Sequence, residues 1–244
     1  MNMSSPAPAA SPFTEKPQLP MSGDGSTPDD MKAGEMDAMS MESEHDMHMG
    51  HDMHMGNMSL HMAYTDRRPA NAADQQRADK IVKQLRQSLA KYQDYRAAEA
   101  AGFKPFHPEI NAMKVVHFTK AWYGVKAAFV FNPDEPTSLL YARTADGGYK
   151  LIGAMYTDRK NATPDQLNER VPLSVARWHR HISLCFPPKG ANPMEVDWTK
   201  FGFNGSIATA GACEMLGGRF YPQVFGWMVH VYPWDPNPNL VWAK

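Results

Sequence analysis

The first 62 residues lack the side chains from which a hydrophobic core is built. They hold thirteen of the eighteen Met, yet Phe13 is their only aromatic residue, and all six Trp lie beyond position 120. A segment with so little apolar surface to bury cannot offset the entropy lost on ordering. The sequence therefore predicts a disordered tail over residues 1–62 and a single folded domain over residues 63–244.

The charge of the chain argues against two classes of partner. The formal net charge is −1, with 25 basic and 26 acidic residues. Such a balance gives no broad positive surface, so we expect neither nucleic acid nor an anionic membrane as a partner. No stretch of about eighteen apolar residues occurs, so no transmembrane segment is expected.

One amphipathic helix is predicted over residues 71–101. Its apolar residues recur at spacings of three and four, which places them on one face: Ile81, Val82, Leu85, Leu89, Tyr92 and Tyr95. Asn71 is a suitable N-cap, and Gly102 suits the position just after the last turn, where the backbone often has a positive φ.

Residues 103–244 are predicted to be β-rich. Short runs of β-branched and aromatic residues predict strands at 115–119, 125–131, 138–144, 149–157, 175–186 and 225–232. Asp146-Gly147-Gly148 supplies the positive φ of a tight hairpin turn between two of them. We therefore expect an α+β fold, with the long helix packed on an antiparallel sheet or a small barrel.

The tail contains a tandem repeat, His-Asp-Met-His-Met-Gly, at 45–50 and again at 51–56. Thioether sulfur is a soft ligand and imidazole a borderline one, so the pair suits Cu(I), Ag(I) and Cu(II). The candidate ligands are His45, Met47, His48, Met49, His51, Met53, His54 and Met55. The alternative is a linker whose Met and His are incidental, but an exact repeat of four ligands favours metal binding.

The segment HDMHMGHDMHMG resembles the Met/His segments of periplasmic copper- and silver-resistance proteins. The resemblance implies capture of monovalent metal in an oxidising compartment, where thioethers persist; it covers the tail alone. The opening MNMSSPAPAASPF lacks the basic and apolar regions of a signal peptide. A periplasmic or secreted location is favoured by the tail chemistry, with a cytoplasmic one as the alternative.

The predicted strand at 175–186 contains a His-x-His pair. Alternation along a strand places His179 and His181 on one face, together with Arg177, Ser183 and Cys185. Two such imidazoles can converge on one ion, as they do in cupins, but the carboxylate that a cupin carries shortly after the pair is absent here. We do not assign the chain to that family.

Two further strands offer an imidazole. His230 shares a face with Met228 and Tyr232, opposite Phe225, Trp227, Val229 and Val231, and His117 lies between apolar neighbours. The sequence predicts that His179, His181 and His230 form one metal site, with His117 as a fourth member. Copper is the expected ion, and zinc, iron or nickel would also suit imidazole ligands. For each single His, a hydrogen-bonded structural role is the alternative.

The two cysteines leave three alternatives open. Cys185 and Cys213 form a disulfide if the protein matures outside the cytoplasm, Cys185 joins the His ligands, or both remain buried thiols. Glu214 is a further candidate carboxylate near the site, on sequence position alone.

Three functions compete at this point. The first is an extracytoplasmic copper-binding protein that captures metal with its tail, holds it in the domain and exchanges it with a delivery partner. The second is a mononuclear metal-dependent oxidoreductase with His179, His181 and His230 as ligands, since three ligands and an open position are typical of catalytic sites. The third is a carbohydrate- or protein-binding module with a scavenging tail. The sequence predicts no substrate.

Overall fold

The computed structural model describes residues 60–106 and 115–242. These residues form an antiparallel sheet of seven strands in the order β1-β6-β7-β5-β4-β3-β2. The sheet is open, with β1 and β2 at its edges, and helices accompany it, so the α+β class is confirmed. The strands are β1 (Met62–Tyr64), β2 (Lys104–Pro105), β3 (Val115–Thr119), β4 (Ser138–Arg143), β5 (Tyr149–Asp158), β6 (His179–Phe186) and β7 (Arg219–Val231).

Five α-helices lie in the described part of the chain. They are α1 (Ala72–Leu89), α2 (Tyr95–Ala100), α3 (Ala121–Ala127), α4 (Pro164–Arg170) and α5 (Ala210–Met215). Two short 3-10 turns, Ala90–Tyr92 and Pro238–Leu240, complete the elements. Within residues 60–106 and 115–242, no helix is long and apolar enough to cross a membrane.

The start of α1 follows from its cap. The Asn71 side chain accepts a hydrogen bond from the backbone N–H of Asp74 at 2.8 Å, which satisfies one of the unpaired donors of the first turn. The prediction of one continuous helix to residue 101 is wrong, because α1 ends at Leu89. Asp94 accepts from the N–H of Arg96 and so begins a second helix.

The end of α2 matches the expectation for Gly102. Gly102 has a φ of +91°, a conformation that glycine adopts without steric cost. Its N–H donates to the carbonyl of Glu99, and the N–H of Phe103 donates to that of Ala98. This pair of bonds is the Schellman motif.

The predicted hairpin is confirmed. The N–H of Thr144 donates to the carbonyl of Gly148 at 3.0 Å, and Gly147 has a φ of +80°. The strand predicted at 125–131 is wrong, since these residues lie in α3 and the turn after it. Val125, Phe129 and Val130 are exposed, Phe129 by 79%, although Phe131 packs against the main core. Most of the burial that would favour a strand is therefore missing.

The first residues of two strands differ from the predictions, and one strand was not predicted. β6 begins at His179 rather than at 175, and β7 begins at Arg219, six residues before the predicted start. β1 was not predicted and pairs with β6, Met62 opposite His181. The fold therefore includes residues that the sequence assigned to the tail.

The main core, with residues of α1, α2 and α4, covers one face of the sheet. Five buried residues of α1 pack there: Ala78, Ile81, Val82, Leu85 and Leu89. The strands contribute alternate residues to the same core, among them Phe118, Tyr141, Tyr156 and Val229. The strand residues that alternate with these core residues point to the opposite face of the sheet. All four histidines predicted for the metal site lie on that face.

Two irregularities reshape that second face. Ser183 in β6 and Phe225 in β7 have positive φ values of 56° and 57°. From the pair His179–Met228 to the pair His181–Val224, β6 advances two residues and β7 four. The bulge changes which face the side chains of β7 take on the N-terminal side of Trp227. Phe225 therefore packs with the cluster of Leu140, Met155 and Met228 rather than with the main core. The prediction that Phe225 shares the face of Trp227 is wrong.

Candidate metal centre

Three strands contribute the four imidazoles to the face opposite the main core. His117 comes from β3, His179 and His181 from β6, and His230 from β7. Each is buried, with at most 7% of its surface exposed. β4 and β5 separate β3 from β7 in the sheet, so the rings of His117 and His230 reach toward each other over two intervening strands.

The structure brings the four imidazole rings close to one another. The Nε2 atoms of His117 and His230 are 3.5 Å apart, within reach of a hydrogen bond. The ring centres are 5.5 Å apart for this pair, 5.0 Å for His179 and His230, and 5.8 Å for His179 and His181. The rings form a continuous chain from His117 to His181.

These spacings agree with ligation of one ion, while the ring orientations do not yet converge. Around an ion bound at about 2.1 Å, tetrahedral ligand nitrogens lie about 3.4 Å apart and the ring centres about 5 Å apart. Within the described ranges, no three His, Cys, Asp or Glu side chains are already arranged around a common point. Binding an ion would therefore require the imidazoles to rotate about their side-chain bonds toward a shared centre.

Burial favours the neutral form of two of the imidazoles. Desolvation holds the pKa of His179 well below its ordinary value, and the neighbouring His230 lowers it further. The same two causes lower the pKa of His181 to about 4. A neutral imidazole has a free lone pair, which is the form that binds metal. Nothing in the described part of the chain hydrogen-bonds to Nε2 of His179 or Nδ1 of His181.

A cavity of about 140 Å³ opens beside the imidazoles. Hydroxyls on its wall satisfy each other in pairs, Thr119 with Ser138 at 2.8 Å and Thr137 with Thr157 at 2.7 Å. The wall consists of Phe106, His117, Thr119, Thr137, Ser138, Met155, Thr157, His181, Phe225, Met228 and His230. The cavity is thus lined by imidazoles, thioethers, hydroxyls and two aromatic rings.

Met155 and Met228 were not among the predicted site residues. Met228 lies two residues before His230 on the same strand, so alternation alone could have indicated it. Met155 lies on β5 directly opposite His230. Its position depends on which strands are neighbours and in which register, and no local pattern contains that information.

The cysteines are joined in a disulfide between Cys185 and Cys213, with Cα atoms 5.6 Å apart. The bridge links the end of β6 to α5 and packs in a small cluster with Phe201 and Ile207. Among the three alternatives the disulfide is confirmed, and a thiolate ligand at Cys185 is wrong. Glu214 is exposed and does not line the cavity.

The predicted tail ligands lie outside the described residues. They are His45, Met47, His48, Met49, His51, Met53, His54 and Met55. His61, next to the last residue of the predicted tail, is instead buried in the fold. Its Nδ1 lies 3.0 Å from the carbonyl oxygen of Ser183, and its Nε2 lies 2.6 Å from that of Gly205.

Comparison with known proteins adds no relative. The chain matches no protein-family model, no curated protein and no solved structure. The function must therefore be argued from the site itself.

Proposed function

We propose that the protein is an extracytoplasmic metal-binding protein that captures copper with its Met/His tail and holds it in the domain through four histidines. His117, His179, His181 and His230 are the ligands of the domain site. The observation that carries the proposal is a chain of four buried imidazoles with ring centres 5.0 to 5.8 Å apart.

The energetics of the cluster support this proposal. A buried polar group without a hydrogen-bond partner costs about 1–3 kcal/mol, and two ring nitrogens of the cluster, on His179 and His181, are in this position. Metal coordination would satisfy several ring nitrogens at once. The disulfide supports an oxidising location, since such bonds persist mainly outside the cytoplasm.

Metal analysis of the full-length protein tests the two sites separately. In a tail variant, the four His of residues 45–56 are replaced by Ala and the four Met by Leu. In a domain variant, His179→Asn and His230→Asn remove two imidazoles with little change in volume. Each protein is loaded with Cu(II) or Ag(I), dialysed and analysed for bound metal, with circular dichroism as the control for folding.

The tail variant should still bind one equivalent of metal in the domain. The domain variant should lose this equivalent and keep the metal bound by the tail. X-ray absorption of the copper-loaded tail variant should show imidazole nitrogen ligands at about 2.0 Å. A tail variant that binds no metal would restrict metal binding to the tail. Unchanged stoichiometry in the folded domain variant would show that the histidines have another role.

One observation favours a second candidate, a mononuclear metal-dependent oxidoreductase. The cavity beside His117, His181 and His230 leaves room for a small molecule next to a bound ion, as an open coordination position requires. Oxygen uptake by the copper-loaded tail variant with ascorbate as reductant tests this candidate. Uptake that disappears in the matching His230→Asn protein would support it, and a rate equal to that of metal-free protein would exclude it for this reductant.

A further inference from the structure

Two methionines flank the histidine cluster in fixed register. Met155 on β5 is directly opposite His230 on β7, and Met228 on β7 is directly opposite His179 on β6. Residues opposite each other in an antiparallel pair have Cβ atoms about 4.5–5.5 Å apart. A methionine side chain is long and flexible enough to bring its sulfur to an ion held by the neighbouring imidazole.

Both methionines are buried and line the cavity. Met155 is 8% exposed and Met228 is 6% exposed. They belong to one apolar cluster with Leu140, and filling space is the ordinary role of a buried Met. The same wall, however, also carries three imidazoles and four hydroxyls beside its two phenylalanine rings. The two thioethers therefore share a wall with the imidazoles of His117, His181 and His230.

The absence of acidic side chains from the described cavity wall favours monovalent over divalent metal ions. The wall, within the described part of the chain, contains no Asp, Glu, Lys or Arg side chain. The cost of burying an ion in a medium of low dielectric rises with the square of its charge, so a dication without an anionic ligand costs about four times as much as a monocation. Neutral imidazole and thioether ligands thus favour a soft monovalent ion.

We infer that Met155 and Met228 are thioether ligands of the domain site and make it selective for Cu(I). The ion is held by the two sulfurs together with imidazoles of the histidine cluster. This inference rests on the proposed function, because it requires that the histidine cluster binds metal. It adds two ligands and an oxidation state to that site.

The test uses the full-length tail variant, so that only the domain site binds. Met155→Leu and Met228→Leu are introduced together, because Leu keeps the volume and removes the sulfur. The matched control is Met194→Leu with Met215→Leu, since these side chains are exposed by 91% and 82%. Affinities for Ag(I), as the probe for Cu(I), and for Cu(II) are measured by competition titration.

The buried pair of changes should weaken Ag(I) binding at least about tenfold, the effect expected for loss of a site's supporting ligands. Cu(II) binding through imidazole should change by less than about threefold, and the exposed pair should leave both affinities unchanged. Sulfur scattering should also disappear from the X-ray absorption spectrum of the Cu(I)-loaded protein.

Unchanged Ag(I) affinity with normal Cu(II) binding would overturn the thioether assignment and leave the histidine site intact. A parent protein that binds neither ion would overturn the proposed function as well. Equal losses for Ag(I) and Cu(II) in the Leu variant would show a packing effect and would also overturn the assignment.

Discussion

Acidification of the metal-free protein should destabilise the domain, because buried imidazoles must take up protons. The pKa of His181 is about 4 in the folded state, against an ordinary value of 6.5. Between these values the unfolded chain binds the proton and the folded chain does not. The free energy of unfolding is therefore highest above about pH 6.5, falls as the pH falls from about 6.5 to about 4, and levels off below that.

The magnitude follows from the same two values. Each pH unit between them is worth 1.36 kcal/mol, so His181 alone accounts for about 3 kcal/mol. His179 contributes in the same direction, since its pKa is also depressed by burial. Such a loss is a large part of the 5–15 kcal/mol that typically stabilises a domain.

Urea unfolding of EDTA-dialysed protein, followed by tryptophan fluorescence from about pH 7.5 to about pH 4, measures the effect. A His181→Asn variant removes the titrating group, and its stability should depend less on pH, by about 3 kcal/mol over this range. His51→Asn, in the predicted tail, is the matched control and should follow the wild-type profile. Parallel profiles for wild type and His181→Asn would refute the reasoning that a neutral, buried His181 limits stability in acid.

Two further predictions concern the scaffold of the site. Replacing both Cys185 and Cys213 by Ala opens a loop with a sequence separation of 28 residues. The free energy of unfolding should fall by about 3.5 kcal/mol. A loss below about 1 kcal/mol in urea unfolding would contradict the loop-entropy account. A Cβ at Gly226 would lie 1.8 Å from the carbonyl oxygen of Asp158, so Gly226→Ala should lower the free energy of unfolding by at least about 2 kcal/mol. The control is Gly211→Ala, in open space within a helix, which should be neutral or stabilising by about 0.5 kcal/mol. Thermal melts that show equal stability for the two glycine variants would contradict the close contact.

Features encoded within a few residues could be predicted from the sequence. The cap at Asn71, the αL position at Gly102 and the turn around Gly147 each depend on one side chain and its nearest backbone. Strand alternation also placed His179 and His181 together, since this pattern needs only neighbouring residues. Such local features form whatever the rest of the chain does, because they depend only on neighbouring residues.

The errors occur where distant residues decide the outcome. A composition typical of a strand at 125–131 did not produce one, because Val125, Phe129 and Val130 remain exposed and gain no burial from a sheet. The extra residues of the bulge at Phe225 reverse which face its side chain takes, and only the pairing with β6 reveals them.

By itself, the sequence determined the α+β class, the face shared by the His-x-His pair and the Met/His repeat that predicts a copper-binding tail. Only the tertiary structure decided that His117 reaches His230 across two strands, that the cysteines pair, and that Met155 stands opposite His230. The physical reason is that sheet order and register depend on contacts between residues far apart in the chain, whereas caps, turns and alternation depend on contacts within one turn or one strand.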